Sequence, residues 1–181
     1  ADAGVLNVKT DLRLYGRISR PLIQYLSFST NPILPELTAN PENCARFLNR
    51  LGLSLQEGEG RWRSYEELNP DEKKTLSTGL LMHLHEYNTP EWKLNEMIGE
   101  VYTLLNEDPR SPLRDAKEFS TVMNATGRNG ASHIGFQVCM GDRDEYYAQA
   151  MALLQEHRQN LAQGIQLMQS EGLEEYNHFY F

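Results

Sequence analysis

Two groups of polar residues in this 181-residue sequence have the side-chain types and the spacing to bind an anion. The first is a strip of three arginines, Arg13, Arg17 and Arg20, with Tyr15 between them. A guanidinium offers a bidentate fork that suits both phosphate and carboxylate partners. The strip is therefore either an anion-binding surface or a set of structural salt bridges.

The second group is the segment NATGRNG at residues 124–130. The pair Thr126-Gly127 predicts the end of a helix, after which Arg128 would stand on a turn flanked by glycines. Exposed backbone N–H groups in such a turn are suited to holding an anion, with Asn124 and Asn129 beside them. The alternative is a plain turn between a helix and a strand.

The histidines and cysteines form no recognisable catalytic or metal-binding pattern. His83 and His85 would lie about 200° apart around a helix, so they cannot face one ion. Cys44 and Cys139 lie in apolar stretches, where burial would raise the pKa of each thiol and make it unreactive. The sequence contains no HExxH, GxSxG, GxxxxGK[ST] or GxGxxG motif. We predict no catalytic residue and no metal ligand in this chain.

Charge is distributed unevenly along the chain. The formal net charge is −8, divided into +2 over residues 1–63, −7 over 64–108 and −3 over 109–181. An acidic total argues against indiscriminate duplex binding, which depends on a basic face, but it leaves room for a local basic strip. Acidic pairs such as Glu66-Glu67 are expected on a solvated face.

The composition is that of a folded globular protein, with 40% hydrophobic residues and no run approaching the ~20 apolar residues of a membrane span. We expect no membrane association. Two cysteines without a CxxC motif predict reduced thiols and a cytoplasmic location. Because the chain opens on Ala1 and closes on an aromatic run, His178 to Phe181, we expect it to be a piece of a longer protein.

Residues 1–108 are predicted to be mostly helical. Val5 to Leu14 and the stretch from Val101 to Leu105 have the pattern of strands. Pro21, Asn40-Pro41, Asn69-Pro70 and Thr89-Pro90 predict helix starts, and Ser64 with Glu67 predicts a capping box and a short helix.

The Pro-rich segment at residues 106–112 predicts a domain boundary near 108. Beyond it we expect a helix over 113–125, a strand over 134–140, a helix over 142–172 capped by Asp142, and a strand over 173–181. This alternation predicts α/β packing in residues 109–181, and the chain as a whole is assigned to the α+β class.

Three stretches together resemble the archaeal RecJ-like nucleases of the DHH phosphoesterase family, including the GINS-associated nuclease. They are DLRLYGRISRPL at 11–22, the stretch 98–130 that contains LRDA, EF and NATGR, and IGFQVCMGDRDE at 134–145 with the segments that follow it. Two departures are Thr126, where the family often has a small residue, and Asn129 to His133, which does not match the GGGH-type motif.

The resemblance implies a non-catalytic fragment of a metal-dependent exonuclease that acts on single-stranded nucleic acid in DNA replication or repair. The family's two-metal centre, with Mn or Mg, belongs to an N-terminal domain that these residues do not match. Residues 1–108 would then be a post-catalytic segment and a helical insertion that docks a partner such as the GINS complex. Residues 109–181 would be the first part of the substrate-binding DHH-associated domain.

Two other interpretations stay open. In the first, the chain is a stand-alone interaction module whose acidic helical segment, 64–108, binds a basic or apolar partner. In the second, it is a complete enzyme with an unrecognised site, which the lack of acid–base and metal clusters argues against. The nucleic-acid-binding candidates are Arg128, Asn124, Asn129, Arg13, Arg17 and Arg20.

Overall fold

A computed structural model of the protein describes residues 4–58, 60–171, 175–176 and 179–180. The chain forms two compact units, 1–119 and 120–181. The functional boundary near residue 108 remains a prediction. The elements, in chain order, are β1 (Leu6–Leu12), α1 (Leu22–Ser27), α2 (Pro41–Arg50), β2 (Gln56–Glu57), β3 (Arg61–Trp62), α3 (Pro70–Glu86), α4 (Glu91–Met97), β4 (Ile98–Leu104), a 3-10 turn (Pro112–Arg114), α5 (Ala116–Arg128), α6 (Ser132–Cys139), α7 (Glu145–Glu171), β5 (Glu175–Tyr176) and β6 (Phe179–Tyr180).

The first unit is built on the antiparallel pair of β1 and β4. The two strands pair along their whole length, from Leu6 opposite Leu104 to Leu12 opposite Ile98. Both strands were expected from their apolar and β-branched residues, and both are confirmed. The pairing joins the beginning of the first unit to its later part. The helices α1 to α4 therefore all lie in the segment that connects the two paired strands.

Two helices of the first unit begin where their caps predict. Asn40 Oδ1 accepts a hydrogen bond from the Asn43 N–H at 3.1 Å, at the start of α2. Asn69 and Glu72 form a reciprocal capping box at the start of α3, with bonds of 2.9 and 2.8 Å. These caps satisfy N–H groups that have no partner inside the helix.

The capping contact at Ser64 forms without the helix. The Ser64 N–H donates to Glu67 Oε2 at 2.8 Å, but the residues that follow make a turn, so the predicted short helix is wrong. Helices dominate the chain and every described sheet is a two-stranded antiparallel pair, which confirms the α+β class.

The hydrophobic core of the first unit is formed by buried leucines and aromatic residues from β1, α1, α2, α3 and the loops between them. At its centre Tyr25 and Tyr65 stack with their ring centroids 5.0 Å apart, and neither ring is exposed. The fully or nearly buried core residues include Leu12, Leu14, Leu22, Leu26, Leu34, Leu48, Leu76, Leu80 and Leu84.

The helix α5 does not end at Thr126-Gly127 as expected. It continues to Arg128 and ends in a Schellman motif, in which Gly130 has φ +68°. The Ala131 N–H donates to the Thr126 carbonyl at 2.8 Å, and the Gly130 N–H donates to the Gly127 carbonyl at 3.1 Å. The glycine that stops the helix is therefore Gly130, because it alone of the two adopts the left-handed conformation.

The strand predicted over 134–140 is wrong, because these residues form the helix α6. Ile134 and Val138 belong to this mainly apolar stretch, but they are four apart and share the buried face of a helix. Gly135 lies so close to α5 that an added Cβ would be 2.4 Å from Thr126 Oγ1. The close approach of the two helices therefore requires a glycine at position 135.

The start of α7 agrees with the expected cap. Asp142 Oδ1 accepts hydrogen bonds from the N–H groups of Asp144, Tyr146 and Tyr147 at 3.0–3.1 Å. The strand expected over 173–181 corresponds to the antiparallel pair of β5 and β6, and its other residues lie outside those described. In the described part of the chain no helix has the length and apolar character to span a bilayer.

Candidate functional site

Arg17, the middle arginine of the strip, is 3% exposed and lies in a cluster of carboxylates. Its Nη2 is 2.8 Å from Asp11 Oδ2 and 2.9 Å from Glu66 Oε2, and its Nε is 3.6 Å from Asp115 Oδ2. Nη1 donates to the Leu12 carbonyl. The guanidinium therefore ties β1, the turn before α3 and the start of α5 to one point.

Aromatic and cationic groups complete this buried cluster. The Arg17 guanidinium lies 4.7 Å from the centroid of the Tyr65 ring, and the Tyr65 hydroxyl donates to Asp11. Lys9 Nζ is 3.3 Å from both Asp11 and Glu66, and Lys73 Nζ is 3.3 Å from Glu66. Each carboxylate of the cluster is thus matched by a cation.

The cluster favours ionised carboxylates. Burial opposes the charge on Asp11, but hydrogen bonds from Arg17 and Tyr65 outweigh it and lower the pKa of Asp11 to about 2. Burial likewise opposes ionisation of Glu66, and nearby Lys73 and Arg17 hold its pKa below the usual value. This is the geometry of the salt-bridge alternative, and a nucleic-acid role for Arg17 stays a prediction.

Glu66 was expected on a solvated face, which is wrong, because its carboxylate lies in the Arg17 cluster. Glu118 is a further buried carboxylate: it is 0% exposed and accepts hydrogen bonds from the N–H groups of Ile18 and Ser19 at 2.8 and 3.1 Å. Asp115 Oδ1 caps the start of α5 by accepting from the backbone of residues 117 and 118. The start of α5 is thereby fixed to the loop that contains Arg17.

Arg13 lies outside the buried cluster, at the surface, where two cavities of about 260 and 230 Å³ share Arg13, Leu14 and Lys117 in their walls. Lys117 Nζ donates to the Arg13 carbonyl at 2.9 Å. Burial, and next the charge of Arg13, lower the pKa of Lys117. Two cations therefore border the same cleft, which we name the Arg13–Lys117 cleft.

The absence of a side chain at Gly99 of β4 leaves the space in which the Arg13 side chain lies across the strand. A Cβ on Gly99 would lie 2.7 Å from Arg13 Cδ, so the side chain crosses the strand at a point where only a glycine leaves space. Three carboxylates also border the cleft, Glu96, Glu100 and Asp115. Of these, Asp115 is engaged with Arg17 and the backbone of α5.

Arg20, the third arginine of the strip, borders a different cleft. Its guanidinium stacks on Tyr15 and Phe28, with distances of 4.6 and 5.2 Å to the ring centroids. Gly16, at φ +95°, allows this course, because a Cβ there would lie 2.4 Å from Arg20 Cδ. The structure thus places the three arginines in three surroundings and not on one surface.

The second unit contains the other candidates. Arg128 is the last residue of α5 and not part of a glycine-flanked turn, so its predicted position is wrong. Its Nη1 lies 3.2 Å from His157 Nε2 at the surface. Asn129 Nδ2 donates to the Ala125 carbonyl at 2.9 Å, and Asn124 is exposed on α5. Nucleic-acid binding by these residues stays a prediction.

His83 and Cys44 each make a hydrogen bond to a main-chain carbonyl group. His83 is buried, with Nε2 2.8 Å from the Pro35 carbonyl. The Cys44 thiol donates to the Leu37 carbonyl at 3.1 Å, and burial raises its pKa to about 11. Cys139 was expected to be buried in a strand, but it is exposed on α6. Within the described residues no group of three or more His, Cys, Asp or Glu side chains is arranged to hold a metal ion.

Sequence reasoning did not identify four residues as partners of the arginines. Asp11, Glu66, Asp115 and Lys117 meet the arginines only through tertiary contacts. No local spacing identifies them, because the partners of Arg17 come from positions as distant as 66 and 115.

Two comparisons with known proteins bear on this chain. Residues 14–98 match the family model described as the DHH-CID domain. The chain is also 25% identical, over 156 residues, to the "Uncharacterized protein MJ0831" of Methanocaldococcus jannaschii. That alignment covers 86% of this chain and 30% of the relative, so the chain spans less than a third of the relative's length.

Proposed function

We propose that this chain, whose DHH-CID match supports membership of the DHH family, is a non-catalytic part of a DHH-family phosphoesterase. The match over residues 14–98 is the observation on which the proposal depends. The finer part of the proposal is that the parent protein is of the archaeal RecJ-like type. It would be an exonuclease acting on single-stranded nucleic acid in replication or repair.

The Arg13–Lys117 cleft supports a role in substrate binding. A phosphodiester carries one negative charge per nucleotide, and a guanidinium paired with an ammonium group is suited to that charge. Because β1 and β4 are paired along their full length, Arg13 is attached to a fixed strand end. Such a contact would hold a phosphate without reading the base.

The three carboxylates around Arg17 do not fit the Mn or Mg expected for the parent enzyme. Asp11, Glu66 and Asp115 converge, but they converge on the guanidinium of Arg17, which takes the central position that a cation would need. Divalent metals require oxygen ligands that are not already committed to buried ion pairs. We therefore derive no catalytic step in this chain and assign the metal centre to another part of the parent protein.

The test compares the protein encoded by the complete gene with the 181-residue chain. Each is incubated with end-labelled single-stranded DNA and Mn²⁺ or Mg²⁺. We expect metal-dependent release of nucleotides by the complete protein, abolished by EDTA, and none by the chain. Cleavage by the chain that is lost on mutating one of its own residues would overturn the non-catalytic assignment. A complete protein that hydrolyses no phosphodiester would overturn the phosphoesterase assignment.

A docking role for residues 20–106, with the GINS complex as partner, belongs to the same proposal. Its test is co-purification of GINS with the complete protein and with a version in which residues 20–106 carry surface substitutions. Retention of GINS by both versions would contradict this docking role.

The second candidate is the stand-alone interaction module, which one observation favours. Five large apolar residues of the acidic segment 64–108 are exposed, and the three most exposed are Met82 at 61%, Trp92 at 59% and Tyr87 at 48%. Exposed apolar groups among acidic residues suit a partner with a basic rim and an apolar centre. A complete gene that encodes little beyond this chain, and a product that shows no affinity for nucleic acid, would favour this candidate over the first.

A further inference from the structure

The two-stranded sheet of β1 and β4 has one face that is only partly covered. Alternate residues of a strand share a face, so Leu6 and Val8 of β1 lie on the same side of the sheet as their partners Leu104 and Tyr102 of β4. Val8 is 39% exposed and Tyr102 41%, and the two leucines are half-buried. We name these four apolar residues the Val8 face.

The Val8 face is continuous with the hydrophobic core of the first unit. Two pairs farther along the same side of the sheet, Leu12 is fully buried and its partner Ile98 packs against the core. On the other side of β4, Val101 is 6% and Thr103 8% exposed. The core therefore covers one end of this side of the sheet, and the Val8 face is the end that stays accessible.

Main-chain hydrogen bonds show which residues of β1 face its outer edge. The Leu105 N–H donates to the Val5 carbonyl at 2.9 Å, and the Arg13 N–H donates to the Met97 carbonyl at 2.8 Å. Along an antiparallel ladder, pairs that exchange such bonds alternate with pairs that do not. Odd-numbered residues of β1 therefore bond to β4, and the even-numbered residues direct their N–H and C=O groups away from it.

The outer edge of β1 is satisfied at one end. The Leu12 carbonyl accepts a hydrogen bond from Arg17 Nη1, and the Leu12 N–H donates to Asp11 Oδ1 at 2.8 Å. In the part of the chain that the structure describes, β1 pairs with no strand other than β4, and no backbone hydrogen bond joins the even-numbered residues of 6–10 to another element. Residues 6–10 thus form an open strand edge, which can pair with a further strand.

The exposed area of the Val8 face favours an occupant from the same polypeptide. Stable interfaces between separate molecules bury about 1,200–2,000 Å² in total. Four side chains, of which the two most exposed are 39% and 41% accessible, provide much less. A segment of the same polypeptide needs less area, because covalent linkage gives it a high effective concentration. The alignment with the relative covers 30% of that protein, so a complete protein of similar length has ample chain to supply such a segment.

We propose that in the complete protein a strand from outside these 181 residues pairs with the outer edge of β1 over residues 6–10. The Val8 face then belongs to the interface between the first unit and the rest of the protein. A sheet of three or more strands with an apolar face is more stable than a two-stranded pair. This inference goes beyond the proposed function, because it requires a longer protein but no phosphoesterase chemistry.

The test compares amide hydrogen exchange in the complete protein and in the 181-residue chain, by mass spectrometry with single-residue fragmentation. We expect the N–H groups of Leu6, Val8 and Thr10 to exchange at least roughly tenfold more slowly in the complete protein, because the added strand would accept their hydrogen bonds. Asn7 and Lys9 are the internal control. Their N–H groups already bond to β4 and should be protected in both proteins.

A second measurement uses Val8→Lys, with Met82→Lys as the matched control on the exposed side of α3. In the 181-residue chain both variants should melt near the temperature of the unchanged protein, because both positions are exposed. In the complete protein Val8→Lys should lower the melting temperature and speed exchange over residues 6–10, because the lysine would enter an apolar interface. Met82→Lys should do neither.

Other results would overturn the inference. Equal exchange of the even-numbered residues in the two proteins would do so, as would a complete gene that encodes little beyond this chain. Protection that rises with concentration of the chain, with dimers in analytical ultracentrifugation, would assign the edge to a second copy instead. If the complete protein degrades single-stranded DNA but leaves the edge unprotected, the inference fails and the proposed function stands. If it protects the edge but hydrolyses no phosphodiester, the proposed function fails and the inference stands.

Discussion

Arg17 and Asp11 meet at 2.8 Å in a site where the arginine side chain is 3% exposed and the aspartate side chain 11%. Two buried charges are costly to remove from water, and each stabilises the other only while both are present. Because Glu66 and Asp115 share the same guanidinium, Arg17 is the point at which three segments of the first unit are joined.

Arg17→Met should therefore destabilise the chain by about 3–5 kcal/mol, because it leaves buried carboxylates without their cation. The measurement is urea unfolding followed by circular dichroism. Arg46→Met is the control: its pair with Glu42 is exposed at both ends, and its loss should change the free energy of unfolding by less than about 1 kcal/mol. A stable Arg17→Met chain with weakened oligonucleotide binding would instead make Arg17 a binding residue.

Stability should fall in acid, with a contribution from Asp11 that has a definite pH window. The pKa of Asp11 is lowered from 3.8 to about 2 in the folded chain. A lowered pKa stabilises the fold above the unfolded value, and the stabilisation is lost as pH falls from about 4 to about 2. Glu66 acts in the same direction, and Glu118, whose pKa is raised by burial, acts in the opposite one.

The check is the urea midpoint of the unchanged chain and of Asp11→Asn across this pH range. We expect Asp11→Asn to be less stable at neutral pH and to lose less stability on acidification. Parallel curves for the two proteins would show that Asp11 does not contribute to the acid transition.

Local features of the fold were readable from the sequence, whereas features set by tertiary contact were not. Asn40 and Asn69 predict the starts of α2 and α3, because an N-cap side chain accepts a hydrogen bond from a backbone N–H within three residues of itself. The mainly apolar stretch 134–140 predicts a strand, but Ile134 and Val138 also satisfy a helical spacing. The packing of Gly135 against Thr126, which accompanies the helix, is a tertiary contact with no local sequence signature.

The same distinction holds for the candidate sites. The arginine strip is visible as a pattern, but its division into buried Arg17, half-buried Arg20 and exposed Arg13 depends on tertiary contacts. The cleft that Arg20 borders joins segments near residues 20, 62 and 110. No sequence window contains all three, so their proximity follows only from the pairing of the segments that hold them.

Gly99→Ala should weaken oligonucleotide binding at the Arg13–Lys117 cleft without changing any charge. The new methyl group would lie 2.7 Å from Arg13 Cδ and displace the arginine side chain from its path across β4. Arg13→Gln and Lys117→Gln should each reduce the magnitude of the salt slope by about 0.7. Salt-dependent anisotropy titrations measure this effect, with Lys74→Gln as the control.

If Gly99→Ala, Arg13→Gln and Lys117→Gln all bind the oligonucleotide as the unchanged chain does, the cleft is not a phosphate site. Melting temperatures distinguish that result from misfolding, because Gly99 has an ordinary strand conformation that alanine can adopt.

Arg128 is the strongest nucleic-acid-binding candidate of the second unit. It ends α5, and its contact with His157 lies at the surface, where the loss of one hydrogen bond has little effect on stability. Because the guanidinium is exposed, it is available to a phosphate of a bound strand, a contact that carries little base information. Arg128→Ala in the complete protein should therefore weaken single-strand binding about equally for all sequences and reduce the magnitude of the salt slope by about 0.7. His157→Ala is the matched control, since it removes the same contact and leaves the guanidinium in place. If Arg128→Ala and His157→Ala lower the melting temperature alike while affinity and salt slope stay unchanged, Arg128 serves the second unit as a structural residue and the binding assignment is wrong.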